Sequence, residues 1–294
     1  MDEPGFALHN KSIAIIGLGL MGGSMALALR ARKSCAKIIA IDHNEATCAQ
    51  ALARGAVDEA SDDLSAIASA DLIVLATPVR AIIELLPRVG DLARDGAIVI
   101  DLGSTKRAIG QAMENLPARV QVIGGHPMCG KESSGFAAAD ANLFHDAIFA
   151  LTPLARTSTT TLAFAQSLIE TIGARPLVID AERHDKIVAA TSHLPYVIAA
   201  ALMSTADEMS RNEELLFRLA ASGFRDTSRL AASDPTMMID ILLTNRADII
   251  KLLGQYSAQL NELTHLIDRA DAAELRAHLQ IIAESRQKIS GGLP

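Results

Sequence analysis

The sequence has few aromatic residues and few cysteines. Of its 294 residues, 3% are aromatic and none is Trp, although 50% are hydrophobic. The cores must therefore be aliphatic and rich in alanine. The three cysteines, Cys35, Cys48 and Cys129, are an odd number without metal-site spacing. This count argues against a disulfide framework and a zinc site, so we expect no metal and a reducing compartment.

The sequence also lacks an excess of positive charge, a signal segment and a long apolar run. Lys and Arg total 27 against 34 Asp and Glu, which gives a formal charge of −7. This balance argues against broad binding to nucleic acid or anionic membranes. Asp2 and Glu3 open the chain without the basic region of a signal peptide, and no run reaches about 18 apolar residues. We expect a soluble cytoplasmic protein that binds neither nucleic acid nor membrane.

Short apolar runs alternate with amphipathic stretches in the first part of the chain. The runs cover residues 13–16, 38–41, 72–76, 97–102, 120–123, 147–151 and 175–179. Such near-continuous hydrophobicity is typical of strands covered on both faces, as in a parallel sheet with crossover helices. A helix is also predicted over residues 160–172, before Gly173. These patterns predict an α/β fold with a doubly wound parallel sheet.

Strand signals nearly disappear after Asp180, where helix-forming residues dominate. Helix starts are predicted at Asp180, at Pro235 with Ser233 and Asp234 before it, and at Asp271, which forms a capping-box pattern with Glu274. The length fits two domains at about 150 residues each. We therefore predict a sheet domain over residues 1–180 and an all-helical domain over residues 181–294.

A glycine motif follows the first predicted strand and opens a helical pattern. It consists of Gly17, Leu18, Gly19, Leu20, Met21 and Gly22. In a Rossmann-like domain, the first glycine permits the tight turn, the second lets the backbone approach a pyrophosphate, and the third allows close packing of helix on strand. We expect these six residues to bind a dinucleotide.

Asp42 ends the second strand, twenty residues after the glycine motif. A carboxylate there can accept both adenosine ribose hydroxyls and repel a 2′-phosphate, which favours NAD over NADP. The alternative is that Asp42 caps the following helix. NADP is not excluded, because His43 and Arg80 can each approach a phosphate. Thr77 and Pro78 follow the Leu72–Ala76 strand and are predicted to line the cofactor site, although Pro78 can also simply start a helix.

Two later strands end in loops that should open onto the same edge of the sheet. One loop contains Ser104, and the other contains the glycine-flanked His126. The near-neutral pKa of an imidazole suits the proton transfer that accompanies hydride transfer. Ser104 can hydrogen-bond that imidazole and fix its tautomer, or can act only as a local cap.

Five motifs occur in order along nearly the whole chain. They are GLGLMGGS at residues 17–24, DLGSTK at 101–106, GGHPMCGKESSG at 124–135, HDKIVAATSHLPY at 184–196 and SGFRDTSRLAASDP at 222–235. Together they resemble the prephenate and arogenate dehydrogenase family of tyrosine biosynthesis. The resemblance implies an NAD(P) domain, a helical domain that forms a homodimer, and a prephenate-like substrate. It also implies His126 as the catalytic residue, Ser104 as the residue that orients it, and Arg229 as the partner of a substrate carboxylate.

The resemblance implies an oxidative decarboxylation of prephenate to 4-hydroxyphenylpyruvate. Hydride leaves C4 for NAD while His126 accepts the hydroxyl proton, and loss of carbon dioxide makes the ring aromatic. The reaction requires placement and a base, without metal, flavin or covalent nucleophile. Arg229 stands before a predicted helix start, where a guanidinium can bind a carboxylate through two hydrogen bonds, although an ion pair is the alternative.

Further substrate contacts are predicted at His193, Tyr196 and Lys131, and Lys106 is a weaker candidate in the cleft. Pro195 should kink or open the helix, because it cannot donate to the carbonyl of Thr191. This opening can expose His193 to substrate, although a core hydrogen bond between helices is an alternative. Tyr196 departs from the family's common SHLPH pattern. A phenol offers less positive charge to an anionic side arm, so the choice between prephenate and arogenate stays open.

Three other functions compete with prephenate oxidation. The first is arogenate oxidation or dual cyclohexadienyl activity. The second is a β-hydroxyacid dehydrogenase, whose usual lysine motif is not evident in this sequence. The third is a nucleotide-sensing binding protein without chemistry. The charged pairs His184-Asp185 and Arg225-Asp226 fit helix starts or interdomain contacts, so neither is predicted to be catalytic.

Overall fold

The structure is a computed structural model that describes residues 8–290. Its centre is an eight-stranded sheet with the order β3-β2-β1-β4-β5-β6-β7-β8. The strands are β1 (Ser12–Ile16), β2 (Lys37–Ile41), β3 (Glu59–Ser61), β4 (Leu72–Leu75), β5 (Ile98–Asp101), β6 (Gln121–Pro127), β7 (Ile148–Thr152) and β8 (Arg175–Val178). Strands β1 to β6 pair in parallel, so their carboxyl ends meet at one edge. The predicted doubly wound sheet is confirmed.

Two features of the sheet differ from the prediction. Strand β3 was missed because it has three residues, Glu59, Ala60 and Ser61, and lies at an edge where no buried apolar run is needed. Strands β6 and β7 are antiparallel, whereas β7 and β8 are parallel. The connection from β6 to β7 contains a short 3₁₀ turn in place of the crossover helix that a parallel pair normally uses.

Aliphatic clusters cover both faces of the sheet. Ile13 and Ile15 of β1 belong to one cluster, and Ala14 and Ile16 belong to the other. Successive side chains of a strand point to opposite faces, so this division is the physical origin of the near-continuous apolar runs. The flanking helices are α1 (Leu20–Ala31), α2 (Glu45–Ala53), α3 (Val79–Leu92), α4 (Arg107–Glu114) and α5 (Thr159–Thr171).

The chain after β8 is helical. Its helices are α6 (Ala181–Val188), α7 (Leu194–Ser210), α8 (Ser222–Ser228), α9 (Pro235–Thr244), α10 (Arg246–Asp268) and α11 (Ala272–Ser290). The side chains of Asp180 and Asp234 cap α6 and α9, as predicted. Asp271 accepts from the N–H groups of Ala273 and Glu274, as in a helix cap, whereas the Glu274 carboxylate pairs with Arg269.

The predicted helix opening before Pro195 is confirmed. Residues Ala189–His193 form a π-helical turn between α6 and α7. The continuous stretch Ala181–Ser210 is long and apolar enough to cross a membrane by length and composition alone. It carries the buried polar residues His184, Asp185 and His193, which pair with other polar groups of the chain.

The chain forms two compact units that divide after Arg246. The first unit contains the sheet and the helices through α9. The second unit contains α10 beyond its first residue and α11. The change from sheet to helices occurs near residue 180, and the division into domains 1–180 and 181–294 stays a prediction.

Candidate active site

The glycine motif forms the tight turn between β1 and α1. Gly17 has a φ of +94°, and its N–H donates to the carbonyl of Ile41. A Cβ atom on Gly22 would lie 1.9 Å from the carbonyl oxygen of Gly17, whereas a Cβ atom on Gly19 would meet no atom within 4 Å. Gly22 therefore permits the close approach of helix and turn, while Gly19 borders open space.

The first turn of α1 presents its N–H groups without a side-chain cap from any described residue. Gly19 is the N-cap residue, and Leu20 and Met21 begin the helix. Leu18 has another role, because its side chain is buried and its N–H donates to the carboxylate of Asp42. An uncapped helix N-terminus is a favourable position for an anionic phosphate.

Backbone hydrogen bonds hold the carboxylate of Asp42 at the end of β2. One oxygen accepts from the Leu18 N–H at 2.7 Å, and the other accepts from the Asn44 N–H at 2.9 Å. Helix α2 is capped by Asn44, which accepts from the N–H of Thr47, so Asp42 is not its cap. A carboxylate offers about four lone-pair positions, which leaves two for ribose hydroxyls. The neighbouring His43 side chain is exposed.

Thr77 and Pro78 follow β4 directly beside the glycine turn. A Cβ atom on Gly17 would come within 2.8 Å of Thr77 Cγ2. The Thr77 hydroxyl is buried and has no hydrogen-bond partner among the described residues. Pro78 is the N-cap residue of α3. The guanidinium of Arg80 pairs with Asp240 of α9, which leaves Thr77 as the polar group at this part of the turn.

His126 lies in β6, which continues past its predicted end. Its two preceding glycines allow close strand packing. A Cβ atom on Gly124 would lie 2.2 Å from the hydroxyl of Thr152, and one on Gly125 would lie 2.6 Å from the carbonyl of Asp101. The imidazole is partly exposed near the carboxyl edge of the parallel strands.

The loop after His126 packs over the start of α1. Met21 lies 3.8 Å from the position of a Cβ atom on Gly130. Further along the loop, the N–H of Asp140 donates to the hydroxyl of Ser24 at 3.0 Å. These contacts bring the segment containing His126 and the helix after the glycine motif together at one edge of the sheet.

Two buried residues connect His126 to the interior. His126 Nδ1 lies 2.9 Å from His184 Nε2, and His184 Nδ1 lies 2.9 Å from Asp185 Oδ1. The two imidazole rings meet edge to face, with centroids 5.1 Å apart and an interplanar angle of 68°. His184 is 3% exposed, and Asp185 is fully buried. The three side chains form a hydrogen-bonded chain whose outer end is His126.

Asp185 is held in its charged form at the start of α4. Its oxygens accept from the backbone N–H groups of Lys106 at 2.7 Å and Arg107 at 3.0 Å, and from Arg107 Nε at 3.3 Å. Burial acts to raise the pKa of Asp185, but the bonds from His184 and from these amides bring that pKa below its usual value. Asp185 is therefore a carboxylate that can only accept hydrogen bonds.

This charge fixes the tautomers along the chain. Asp185 requires a donor, so His184 carries its proton on Nδ1 and accepts at Nε2. His126 must then donate from Nδ1, which leaves a lone pair on its Nε2. Burial, followed by the ammonium group of Lys106, lowers the pKa of His126 well below its usual value. His126 is therefore a neutral imidazole with Nε2 free to accept a proton.

Lys106 lies beneath this chain and does not reach the cleft. Its side chain is fully buried, pairs with the carboxylate of Asp101 and donates to the carbonyl of Gly125 at 2.6 Å. The prediction that Lys106 contacts substrate alongside Arg229 is wrong, because the ammonium group points into the sheet.

His193 takes the core position that the sequence allowed as an alternative. It is 1% exposed, and its Nδ1 lies 3.2 Å from Nδ2 of Asn245, which also donates to the carbonyl of Asp185. Burial lowers the pKa of His193 to about 4. This placement corrects the predicted substrate contact, because the ring is enclosed. Tyr196 is partly exposed near the start of α7, where its contact with substrate stays a prediction.

Ser104 lies in the loop between β5 and α4 and is partly exposed. Its side chain forms no hydrogen bond within residues 8–290, and Nδ1 of His126 is paired with His184 instead. Ser104 is still at the same strand edge as His126, since β5 and β6 are parallel neighbours. Its orienting role stays a prediction.

Arg229 and Lys131 both pair with acidic residues. Arg229 begins a 3₁₀ turn, and its Nη1 lies 2.8 Å from Oε1 of Glu132, in the loop after His126. The Arg229 side chain is 57% exposed, so its guanidinium is accessible to a ligand. Lys131 Nζ lies 3.0 Å from a carboxylate oxygen of Asp140. The contact of Lys131 with substrate stays a prediction, and it would require exchange of this exposed pairing.

The sequence interpretation missed His184, Asp185 and Asn245. One signal for the first two was present in helical spacing. His184 and Asp185 stand four residues before the apolar Val188 and Ala189, and all four are buried. Two adjacent polar residues on the inward face of a helix require internal partners. Asn245 gave no comparable signal, because it follows α9 in a sequence that is typical of a helix end.

Comparisons with known proteins agree with this architecture. The family description "Prephenate dehydrogenase, nucleotide-binding domain" matches residues 25–178, and "Prephenate dehydrogenase, dimerization domain" matches residues 180–281. A prephenate dehydrogenase of Bacillus subtilis is 33% identical over 96% of this chain and 76% of its own length. A cyclohexadienyl dehydrogenase of Zymomonas mobilis is 34% identical over 94% of this chain and 95% of its own.

A solved structure gives the same result. The prephenate dehydrogenase from A. aeolicus, in complex with hydroxyphenyl propionate and NAD+, is 33% identical, with a TM-score of 0.89 over 95% of this chain and 98% of that chain. Sequence and structure therefore agree over nearly the full length. The chain belongs to the prephenate dehydrogenase family.

Proposed function

We propose that this protein oxidises and decarboxylates prephenate to 4-hydroxyphenylpyruvate with NAD. The observation that carries the proposal is the chain from Asp185 through His184 to His126, which leaves an accepting imidazole nitrogen at the sheet edge where the glycine turn also lies. A neutral base at that position suits removal of a hydroxyl proton during hydride transfer. The named relatives support prephenate as the substrate.

The residues around the glycine turn fit a dinucleotide. The start of α1 lacks a side-chain cap among described residues, Gly19 borders open space, and the buried hydroxyl of Thr77 lacks a partner. The phosphates would lie at the α1 amides, and the ribose hydroxyls at the two remaining positions of the Asp42 carboxylate. Asp42 favours NAD over NADP, since its charge repels a 2′-phosphate. NAD supplies the hydride acceptor for the reaction.

His126 handles the proton of the substrate. Its Nε2 accepts the proton of the C4 hydroxyl as the hydride leaves C4. Departure of the ring carboxylate as carbon dioxide then makes the ring aromatic, and the C4 oxygen takes the proton back as a phenol. His126 thus accepts one proton from the substrate and donates it back to the product. Arg229 would bind a substrate carboxylate by exchanging its exposed pairing with Glu132 for the ligand.

Arogenate is the second candidate substrate. Arogenate has an amino-acid arm where prephenate has a pyruvyl arm. Two observations support arogenate as a substrate. Tyr196 adds no positive charge in α7, and a relative of similar identity is named cyclohexadienyl dehydrogenase. The ring chemistry at His126 is identical for both substrates, so selectivity depends on groups around the side arm.

We also propose a cytoplasmic homodimer formed through the helical region. The dimerization-domain match supports this assembly. Large apolar side chains are exposed in the single chain, including Ile250, Ile267 and Ile281, and such side chains on helices favour contact with another protein surface. Similarity to biosynthetic dehydrogenases supports the cytoplasmic location.

The direct test is an assay of the full chain with prephenate and arogenate, each with NAD and NADP. We expect NADH absorbance to rise with prephenate and NAD. In His126→Asn, loss of the base should lower kcat by about 10²- to 10⁴-fold. Tight NAD binding without turnover of either substrate would contradict the proposal and favour a binding protein. Near-normal turnover by His126→Asn would remove His126 as the base.

A further inference from the structure

We propose that His184 is a second proton carrier, which receives the substrate's proton from His126, holds it beside Asp185 and returns it when the phenol forms. The inference rests on the proposed function, because that function supplies the proton. His184 acts through His126 and is therefore a positioning and proton-holding residue that does not itself contact substrate.

The geometry provides a continuous path for the proton. Both hydrogen-bond distances along His126, His184 and Asp185 are 2.9 Å. The 2.9 Å separation of His126 Nδ1 and His184 Nε2 directs a nitrogen of each ring at the other. His184 is 3% exposed, so a proton held there is kept from bulk water. A residue that served only to fill the core would not need an imidazole between a second imidazole and a carboxylate.

Each step of the transfer balances. The substrate O–H bond breaks and an Nε2–H bond forms on His126. In the same event, the Nδ1–H bond of His126 breaks and an Nε2–H bond forms on His184. His126 is neutral again with its proton on Nε2, and His184 is an imidazolium bonded to the charged Asp185. The reverse steps return the proton to the C4 oxygen, where it completes the phenol.

The charges around the two rings favour storage on the inner one. The buried ammonium of Lys106 donates to the carbonyl just before His126, whereas the carboxylate of Asp185 contacts His184. Lys106 also pairs with the buried carboxylate of Asp101, and its charge still lowers the pKa of His126. A cation is therefore closer to its counter-ion on His184 than on His126.

Two further titratable side chains, Arg107 and His193, pack against these three residues. Arg107 of α4 contacts the same carboxylate as His184, since it donates to Asp185 as well as to Asn245. His193 is neutral at physiological pH because burial lowers its pKa to about 4. Asp185 is therefore the group that compensates a proton on the inner ring.

The proton balance of the overall reaction explains why the enzyme would retain the substrate's proton on His184. Prephenate carries two carboxylates, whereas the product carries one carboxylate and a phenol, so no net proton is released. A proton lost to water after the first step would have to be recovered before the ring oxygen could become a phenol. An enclosed second imidazole keeps the proton within two hydrogen bonds of that oxygen.

The test compares His184→Gln with wild type in single-turnover measurements of NADH formation. Glutamine can still accept from Nδ1 of His126, so the tautomer and position of the base are preserved, but an amide cannot hold the proton. We expect the single-turnover rate to fall by about 10²-fold, with less than about threefold change in KM for prephenate and NAD. His145→Gln, an exposed histidine, is the matched control and should behave as wild type.

Rates in mixtures of H₂O and D₂O give a readout that a structural role would not change. Two protons moving together predict a curved dependence on deuterium fraction in wild type and a linear one in His184→Gln. The Tm of His184→Gln checks whether this variant folds. The isotope dependence of the wild type needs no variant, so it tests the proposal even if His184→Gln folds poorly. A linear wild-type dependence overturns the proposal.

¹⁵N spectra of the imidazoles in the protein without ligands provide an independent check. We expect His126 and His184 both to carry their proton on Nδ1. The opposite tautomer of either ring overturns the path.

The outcomes separate the two proposals. Active wild type, inactive His126→Asn and fully active His184→Gln would overturn the second carrier and leave the proposed function intact. Absence of turnover with prephenate and arogenate would overturn both.

Discussion

Gly22→Ala should damage folding and cofactor binding together. The new Cβ atom would lie 1.9 Å from the carbonyl oxygen of Gly17 and 3.0 Å from the Ala76 Cβ. Since both neighbours belong to the backbone turn or to a short side chain, the turn itself must move by about 1 Å or more to reach an ordinary contact. Overpacking of this kind costs about 3 kcal/mol. For a domain of this size, that corresponds to a fall in Tm of roughly 6–12 °C.

Gly19→Ala is the matched variant, because its Cβ atom meets nothing within 4 Å. Its folding cost should stay below about 1 kcal/mol, the usual effect of alanine at an N-cap position. The methyl group instead occupies the space where the pyrophosphate would approach. Loss of one charged hydrogen bond, about 1.5–3 kcal/mol, should weaken NAD binding roughly 10- to 150-fold.

The assay combines thermal unfolding with fluorescence titration of NADH for both variants. Gly22→Ala should lower Tm and affinity, whereas Gly19→Ala should lower affinity at nearly unchanged Tm. Normal affinity in Gly19→Ala would refute the placement of phosphates at this turn. An unchanged Tm in Gly22→Ala would refute the argument from close packing.

Two further predictions concern charge. Asp42→Asn keeps one of the two oxygen acceptors that the N–H groups of Leu18 and Asn44 use, and it removes the repulsion of a 2′-phosphate, so the ratio of kcat/KM for NAD over NADP should fall at least about tenfold; an unchanged ratio would contradict this role. Burial lowers the pKa of His193 from its usual 6.5 to about 4 in the folded chain. As the pH drops from 6.5 to 4, the unfolded chain binds a proton at His193 and the folded chain does not, so the free energy of unfolding falls. Urea unfolding at pH 7 and pH 4 should show a loss about 3 kcal/mol smaller in His193→Gln than in wild type, and equal losses would contradict the burial argument.

The fold was readable from the sequence because burial on both faces leaves a pattern. Strand β1 is apolar at every position from Ile13 to Ile16, and the structure divides those side chains between two cores. Strand β3 left no such pattern, because its residues Glu59–Ser61 lie at the sheet edge. The antiparallel direction of β7 was also hidden, since strand direction depends on the connection and not on the residues of the strand.

The site was only partly readable, for a related reason. The glycine turn and His126 stand at strand ends, where local sequence and topology together determine position. The partner of His126 comes from α6, 58 residues later, and no local pattern specifies that distance. Lys106 was misplaced because a lysine in a loop is usually solvated, whereas here the nearby carboxylate of Asp101 holds it inside the sheet.

The buried pair of Lys106 and Asp101 is itself evidence about the site. Removing two charges from water is costly, and such a pair is often no more stabilising than apolar residues of equal volume. Its position offers another reason for its presence. Lys106 binds the carbonyl of Gly125, immediately before His126, and its backbone N–H binds Asp185. One residue therefore positions both ends of the imidazole chain, while its charge disfavours a proton resting on His126. The loop carrying Lys106 thus sets where the base lies and also keeps the base neutral until substrate arrives.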